Sequence, residues 1–250
     1  MILKIYKATN PAKRHCLDIL VFYSHKTYAL KSQLKKQIKV SGRNNSGKIT
    51  IFNRGNSHKK RFRVINKNFR NLNLEVVVYS IEYNPNKNSA LISVFEFKTK
   101  IFFYLIAPNQ IKIGDLLCFG SKAQEKLGHC LVFNDVPIGC PVYNVGCIFA
   151  KSAGTFAVLL AKMKNNVQVI LSSGKKKELS TNTFCTIGSV SNPNFFLRQL
   201  GKAGKSRWFG FKPKVRGIAM NPVDHPNGGG EGKKSSKRKS PWGKILKSKK

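Results

Sequence analysis

Apolar and polar residues alternate along this chain in short runs separated by turn residues. Strands are predicted over Lys48–Phe52, Arg61–Ile65, Glu75–Tyr83, Ser89–Phe97, Lys100–Ile106, Leu116–Phe119, Cys147–Ala150, Thr155–Met163, Asn166–Ser172 and Thr183–Val190. They are rich in Val, Ile, Phe, Tyr and Thr, and are bounded by Asn44-Asn45-Ser46-Gly47, Asn84-Pro85-Asn86 and Ser173-Gly174. Short strands at this spacing, with no sustained 3.6-residue period, predict an all-β protein with two small barrels joined near residues 111–125. Only Pro193 to Gly201 (PNFFLRQLG) reads as a helical turn or two. The first forty residues are weakly patterned, and from His225 onward only Trp242, Ile245 and Leu246 are apolar. A tail of that kind cannot bury a core, so the pattern predicts a β core with an extension at each end.

Charge changes the picture most. Lys and Arg number 46 against 10 Asp and Glu, a net charge of +36 over 250 residues. Self-repulsion on this scale opposes compaction unless a polyanion neutralises it, which excludes an ordinary soluble metabolic enzyme. The charge is also blocked. Lys31 to Arg70 holds thirteen basic residues and no acid, Arg198 to Arg216 seven more and no acid, and the last twenty residues nine against Glu231. Membrane insertion is not expected, because the longest apolar runs, Ile101 to Pro108 and Phe156 to Ala161, fall far short of a spanning helix. The N-terminus, MILKIYKATNPAKRH, carries neither a signal-peptide core nor an Arg- and Ser-rich transit pattern, so synthesis in the compartment of use is expected.

Candidate chemistry is sparse. Cysteines at 16, 118, 130, 140, 147 and 185 form no C-x-x-C pair and have no grouped histidines, so no metal site is expected. They read as small buried hydrophobes in a reducing compartment. Gly204-Lys205-Ser206 ends like a phosphate-binding loop, but Gln199 stands where that motif needs its first glycine. A basic loop touching nucleic-acid phosphates is the better reading. Ser41 to Lys60 mixes Gly, Asn, Ser and cations around one short run, suiting close approach to a phosphate backbone. The plainer alternative is a solvated hairpin with scattered charge. Met220 to Gly232 (MNPVDHPNGGGEG) predicts no regular element, so a partner should dictate its form. Asp224-His225 invites an acid/base reading, but no nucleophile or oxyanion device accompanies it.

GRNNSGKIT at 42–50, RG-x-x-HK at 54–59, SAGT at 152–155, TIG at 186–188, LGKAGKSRW at 200–208, VRGIAMNPVDHPNGGGEG at 215–232 and SPWG at 240–243 resemble the bacterial-type ribosomal protein L-two family. The likeness runs in order from Thr9-Asn10-Pro11-Ala12-Lys13-Arg14-His15 through nearly the whole chain. It implies an OB-like barrel followed by an SH3-like barrel, with basic irregular extensions that thread into large-subunit rRNA beside the peptidyl transferase centre. The segments expected are a basic extension over 1–40, an OB-like domain over 41–115, an SH3-like domain over 116–194 and a C-terminal extension over 195–250. The family departs at Gly55-Asn56-Ser57-His58-Lys59, where two glycines of its GGGHK are lost, and at Asn227, where it has a second histidine. The Gly-rich turn before its RSAGT is shortened to Ile148-Phe149-Ala150-Lys151, and the C-terminus stops seven residues after Gly243.

The residues expected to meet rRNA follow from these motifs. In the first block they are Arg43, Asn44, Asn45, Lys48, Arg54, His58, Lys59, Lys60 and Arg61. In the second they are Lys202, Lys205, Arg207, Trp208 and Arg216. In the last they are Asn221, Asp224, His225, Gly228, Gly229, Gly230, Lys233, Lys234 and Trp242. His225 matches the histidine proposed in the family to act near the catalytic centre. The resemblance implies a non-enzymatic constituent of the large subunit, serving assembly, subunit association and translation. Its partners would be large-subunit rRNA, neighbouring ribosomal proteins and the small subunit across an intersubunit bridge, with no membrane, small-molecule substrate, cofactor or metal. Two rivals are an enzyme using Asp224-His225 as a base, and a free OB-type RNA-binding factor working outside a ribosome. The balance of 36 Lys to 10 Arg, with abundant Asn, Ile and Phe, is what AT-rich coding produces. It points first to the mitochondrial matrix, then to the chloroplast, then to an AT-rich bacterium.

Overall fold

A computed structural model of the chain describes residues 2–20, 29–66, 73–120, 123–230 and 237–246. The chain divides into two compact units, one of Met1–Ile38 with Lys59–Lys202, the other of Lys39–His58 with Ala203–Lys250. The first unit is all-β. Its main sheet comprises β5 (Leu74–Glu82), β6 (Leu91–Glu96), β7 (Phe102–Ile106), β8 (Leu116–Phe119), β9 (Cys130–Val132), β10 (Pro141–Tyr143), β11 (Ala157–Lys162), β12 (Asn166–Leu171), β13 (Lys176–Ser180) and β14 (Phe184–Ile187). The order is β13-β12-β11-β10-β14-β9-β8-β5-β6-β7. Neighbours pair antiparallel except β8 and β9, which meet in parallel at Phe119 and Cys130. That junction separates the OB-like half from the SH3-like half.

Each half has its own core. Alternation along β5 sends Val76 and Val78 inward to meet Ile92, Val94, Phe103, Leu105, Leu117 and Phe119. The other half buries Leu131, Phe133, Val136, Val142, Leu159, Val167, Val169 and Cys185. The edges are protected by different means. At one, β13 reads KKELS and its charges discourage further pairing. At the other, β7 is met by Ile65, with Asn66 N–H donating to the Tyr104 carbonyl at 3.0 Å.

The N-terminal segment is tied into this unit. β1 (Ile2–Ile5) pairs with β2 (Leu17–Leu20), and between them α1 (Pro11–Arg14) starts at Asn10, whose side chain accepts from Lys13 N–H at 2.9 Å. Leu17 and Gln199 exchange backbone bonds, and Arg198 pairs with Asp18 at 2.8 Å. β3 (Leu34–Lys36) pairs with β4 (Arg61–Arg63). β1, β2 and β3 are not among the predicted strands, whereas β4 falls within the predicted Arg61–Ile65.

Two predicted strands are absent. Lys48–Phe52 lies in turns because the Asn44 carboxamide captures nearby donors, and Cys147–Ala150 is a tight turn with Cys147 and Ala150 at φ 59 and 49. The helical turn expected after Pro193 is a 3-10 segment, Pro193–Leu197. The Lys205-Ser206 motif lies within α2 (Ala203–Trp208), not in a loop after a strand. All six cysteines are reduced thiols, and burial pushes those of Cys118 and Cys140 upward.

A buried polar chain anchors the OB-like half. The Tyr104 hydroxyl donates to the Glu82 carboxylate at 2.7 Å and accepts from Leu30 N–H at 2.7 Å. Ser80 donates to Glu82 at 3.3 Å and sits 2.6 Å from Ser93. Burial raises the Glu82 carboxyl, opposed by the Tyr104 and Ser80 hydrogen bonds. The folded state therefore holds this proton more tightly than the unfolded state, and its contribution to stability fades as pH rises through the carboxylate range. Tyr104→Phe leaves both Glu82 and Leu30 N–H short of a partner. It is expected to cost about 2 kcal/mol, measured as a lower urea midpoint for the full chain.

Candidate nucleic-acid interface

The second unit holds 18 Lys and Arg against two acids, Asp224 and Glu231. With almost no carboxylates, such a unit must be held together by backbone and neutral side chains. Its first loop shows how. The Asn44 carboxamide oxygen accepts from Ser46 N–H, the Ser46 hydroxyl and Lys48 N–H at 3.1, 2.8 and 2.9 Å. Asn44 N–H in turn donates to the Lys48 carbonyl at 2.9 Å. The Gly42 carbonyl accepts from Thr50 and Ile51 N–H at 2.9 and 3.1 Å. Gly42 has φ +80, and a Cβ there would lie 2.3 Å from the Ile51 carbonyl oxygen, so this closure requires glycine. Arg43, Asn44, Asn45 and Lys48 are all left exposed.

The two halves of the unit are laced by backbone bonds. Gly55 N–H donates to Gly210 O, His58 N–H to Trp208 O and Lys212 N–H to Asn53 O, at 3.0, 3.1 and 2.9 Å. Arg54 stacks its guanidinium 4.8 Å from the centre of the Phe211 ring, and His58 meets Trp208 edge-on at 5.7 Å. Phe52 packs against Trp242 at 5.1 Å. The residues replacing two family glycines are absorbed here: Asn56 accepts from the Ser41 hydroxyl at 2.7 Å, and the Ser57 carbonyl accepts from the Lys39 ammonium. Arg54, His58, Arg207 and Trp208 remain exposed, with Lys205 half-buried.

The Met220–Gly230 run is closed by hydrogen bonds within the chain. Asp224 and His225 N–H both donate to Asn221 O, at 3.0 and 3.2 Å. Gly228 N–H donates to His225 O at 2.8 Å and Gly229 N–H to Met220 O at 3.1 Å. His225 is buried, and its Nδ1 accepts from Asn227 N–H at 3.0 Å. A backbone amide can only donate, so that nitrogen is unprotonated and the ring proton sits on Nε2. A Cβ on Gly217 would lie 2.4 Å from the ring, and one on Gly228 2.3 Å from the Asn221 carbonyl. Asn227, where the family has histidine, donates to Lys237 O at 3.2 Å and accepts from Lys239 N–H at 2.9 Å. The glycines thus first serve contacts of the chain with itself.

The unit brings together Arg43, Asn44, Asn45, Lys48, Arg54, His58, Lys205, Arg207, Trp208, Arg216, Asn221, Asp224, His225, Gly228, Gly229, Gly230 and Trp242. Lys59, Lys60, Arg61 and Lys202 belong to the first unit, and Lys233 and Lys234 lie outside the described residues. Ser41, Asn53 and Phe211 hold the unit together but carry no charge or motif signal that would single them out, whereas Asn227 falls within the VRGIAMNPVDHPNGGGEG motif. Asn53, at φ 62 before Arg54-Gly55, is the nearest to a legible clue. Among the described residues, no group of three His, Cys, Asp or Glu could hold a metal ion, and no helix is long and apolar enough to cross a membrane.

A nearly acid-free unit that displays cations and aromatic rings on irregular backbone, in a chain whose other unit is all-β, fits the class of nucleic-acid-binding proteins. Comparison with known proteins makes this specific. The model of Ribosomal Proteins L2, RNA binding N-terminal domain, matches residues 30–119, and that of Ribosomal Proteins L2, C-terminal domain, matches residues 126–243. The chain is 40% identical to large ribosomal subunit protein uL2 of Rickettsia peacockii (strain Rustic) over 258 aligned positions, covering 100% of this chain and 94% of that protein. It is also 40% identical to the uL2 of Buchnera aphidicola subsp. Cinara cedri (strain Cc) and 39% identical to that of Orientia tsutsugamushi (strain Ikeda), with the same coverage. The chain belongs to the ribosomal protein L2 family.

Proposed function

We propose that the protein is a structural constituent of the large ribosomal subunit. It binds large-subunit rRNA near the peptidyl transferase centre and supports subunit assembly, subunit association and translation, with no catalysis of its own. The observation that carries this reading is the lacing of the acid-free segment Lys39–His58 to Ala203–Phe211 within one unit, which gathers the motif cations and Trp208. The free OB-type factor is less well supported: the outward aromatics of the OB-like half sit on strands without a single Lys or Arg. The four segments 1–40, 41–115, 116–194 and 195–250 are proposed as its functional divisions. Two separate hydrophobic cores, one from β5–β8 and one centred on β9–β14, support a two-barrel middle, with β8 falling in the OB-like core and not in the segment that begins at 116. Neighbouring ribosomal proteins and a small-subunit contact complete the proposed partners.

We place it in the mitochondrial ribosome, on the 36-to-10 excess of Lys over Arg and the divergence at Asn56, Ser57 and Asn227. Ultraviolet crosslinking of purified large subunits tests the rRNA reading. Peptides containing His58, Trp208 or Arg216 should carry large-subunit nucleotides, and their absence from every RNA adduct would refute it.

His225 acts as a positioning residue on this reading. His225→Gln keeps an acceptor that Asn227 N–H can use, whereas His225→Ala empties the seat under Gly217. Particles with Gln should retain most single-turnover peptide-bond formation and those with Ala should incorporate less of the chain. Complete His225→Gln particles that are chemically dead would make it a catalytic base instead.

A further inference from the structure

The outward face of β8, β5, β6 and β7 carries side chains outside the set proposed to meet rRNA. Register sets Leu116 opposite Val77, Val77 opposite Phe95 and Phe95 opposite Phe102, so one apolar row crosses four strands. Alternation sends Val76, Val78, Val94 and Phe103 into the core, and therefore turns this row away from it. Tyr79 packs edge-on against Phe102 at 5.3 Å, and Phe97 against Phe95 at 5.7 Å. Leu116 is 61% exposed, Tyr79 55% and Phe97 54%. A contiguous apolar surface of this kind marks an interaction site.

Charge selects the partner. None of the four strands contains a Lys or Arg, in a chain that has 46 of them. Glu75 is exposed on β5 two residues before Val77, on the same face, and Lys98 and Lys100 lie in the turn between β6 and β7. A phosphate backbone laid on the row would meet no cation on the four strands themselves; Lys98, Lys100 and Lys126, the last acting on Cys118, lie only at its margins together with Glu75. The rings meet one another edge-on or tilted, Tyr79–Phe102 at 72°, Phe95–Phe97 at 83° and Phe95–Phe102 at 44°, and do not stand as parallel plates between which bases could stack.

We infer that this face docks a neighbouring protein that lays apolar side chains along the Leu116–Val77–Phe95–Phe102 row. A basic group of that protein faces Glu75 and an acidic group faces Lys98 and Lys100. The inference rests on the proposal that the chain works inside a ribosomal particle. To test it, p-benzoylphenylalanine replaces Tyr79 in the full chain, particles are assembled in cells and purified by sedimentation, and the purified particles are irradiated. A parallel chain carries the probe at Leu116, so that a folding defect at one position leaves the other informative. One discrete adduct with another protein is expected, reduced at least tenfold when Val77→Lys is added. Adducts only with rRNA, adducts with a second copy of the chain, or no adduct in particles that contain the chain would each overturn the docking. A chain missing from the particles altogether would instead remove the ribosomal reading on which it rests.

Discussion

Raising salt from 50 to 200 mM is expected to weaken binding of the full chain to large-subunit rRNA by about 10³–10⁴-fold. The reason is counterion release. Each phosphate neutralised contributes a slope of about −0.7 to −0.9 in log affinity against log salt. Among the residues proposed to meet rRNA, Arg43, Lys48, Arg54, Lys59, Arg61, Lys202, Arg207 and Arg216 are exposed, eight cations in all. Arg43→Ala should lower the slope by about one and weaken all RNA sequences alike, since a phosphate contact carries no base information. Filter binding or fluorescence titration across a salt series gives both numbers. A flat response would refute an interface dominated by phosphates.

Gly229→Val is expected to have the largest effect of any single change in the second unit. Gly229 sits at φ +75, and a Cβ there would lie 2.2 Å from Cγ of Pro222. A β-branched side chain in the left-handed region costs about 1–3 kcal/mol before that contact is counted. Relief requires breaking the Gly229–Met220 bond, which closes the loop in which His225 sits. A combined penalty of about 3 kcal/mol corresponds to roughly a hundredfold loss of the closed loop. The variant should therefore drop out of assembled particles while the β signal of the full chain in far-ultraviolet circular dichroism persists. Loss of that signal would show that the run supports the barrels. Gly228→Ala is a second probe, since its Cβ meets the Asn221 carbonyl at 2.3 Å and its φ adds no strain.

The β core was legible from strict alternation in β5 and from near-continuous apolar runs in β6 and β7. Along β5 every second residue from Leu74 to Glu82 is buried, and periodicity alone locates that strand to within one residue. β13 escaped because KKELS buries nothing fully and is held only by its pairing with β12. The Lys48–Phe52 run misled for the opposite reason: its composition suits a strand, but one Asn carboxamide satisfies three donors and imposes turns. At the candidate site, charge and motif located the exposed cations, because these need no partner within the chain to be recognised. The form of the Met220–Gly230 run was not legible. What shapes it is a buried imidazole nitrogen, backbone carbonyls and the missing Cβ atoms of glycine, none of which leaves a hydrophobic period. The sequence predicted no regular element there, and the bonds that close the run go through Asn221, His225 and Met220.

The central claim, that this chain is a built-in component of the large subunit and not a free factor or an enzyme, is tested most directly by sedimentation. A tagged copy is expressed, and lysate is run on a sucrose gradient at low and at physiological salt. The account predicts that the chain comigrates with large subunits and intact ribosomes, remains there after a second gradient, and leaves little at the top. A stable pool at the gradient top, with none in the large-subunit peak, would contradict it.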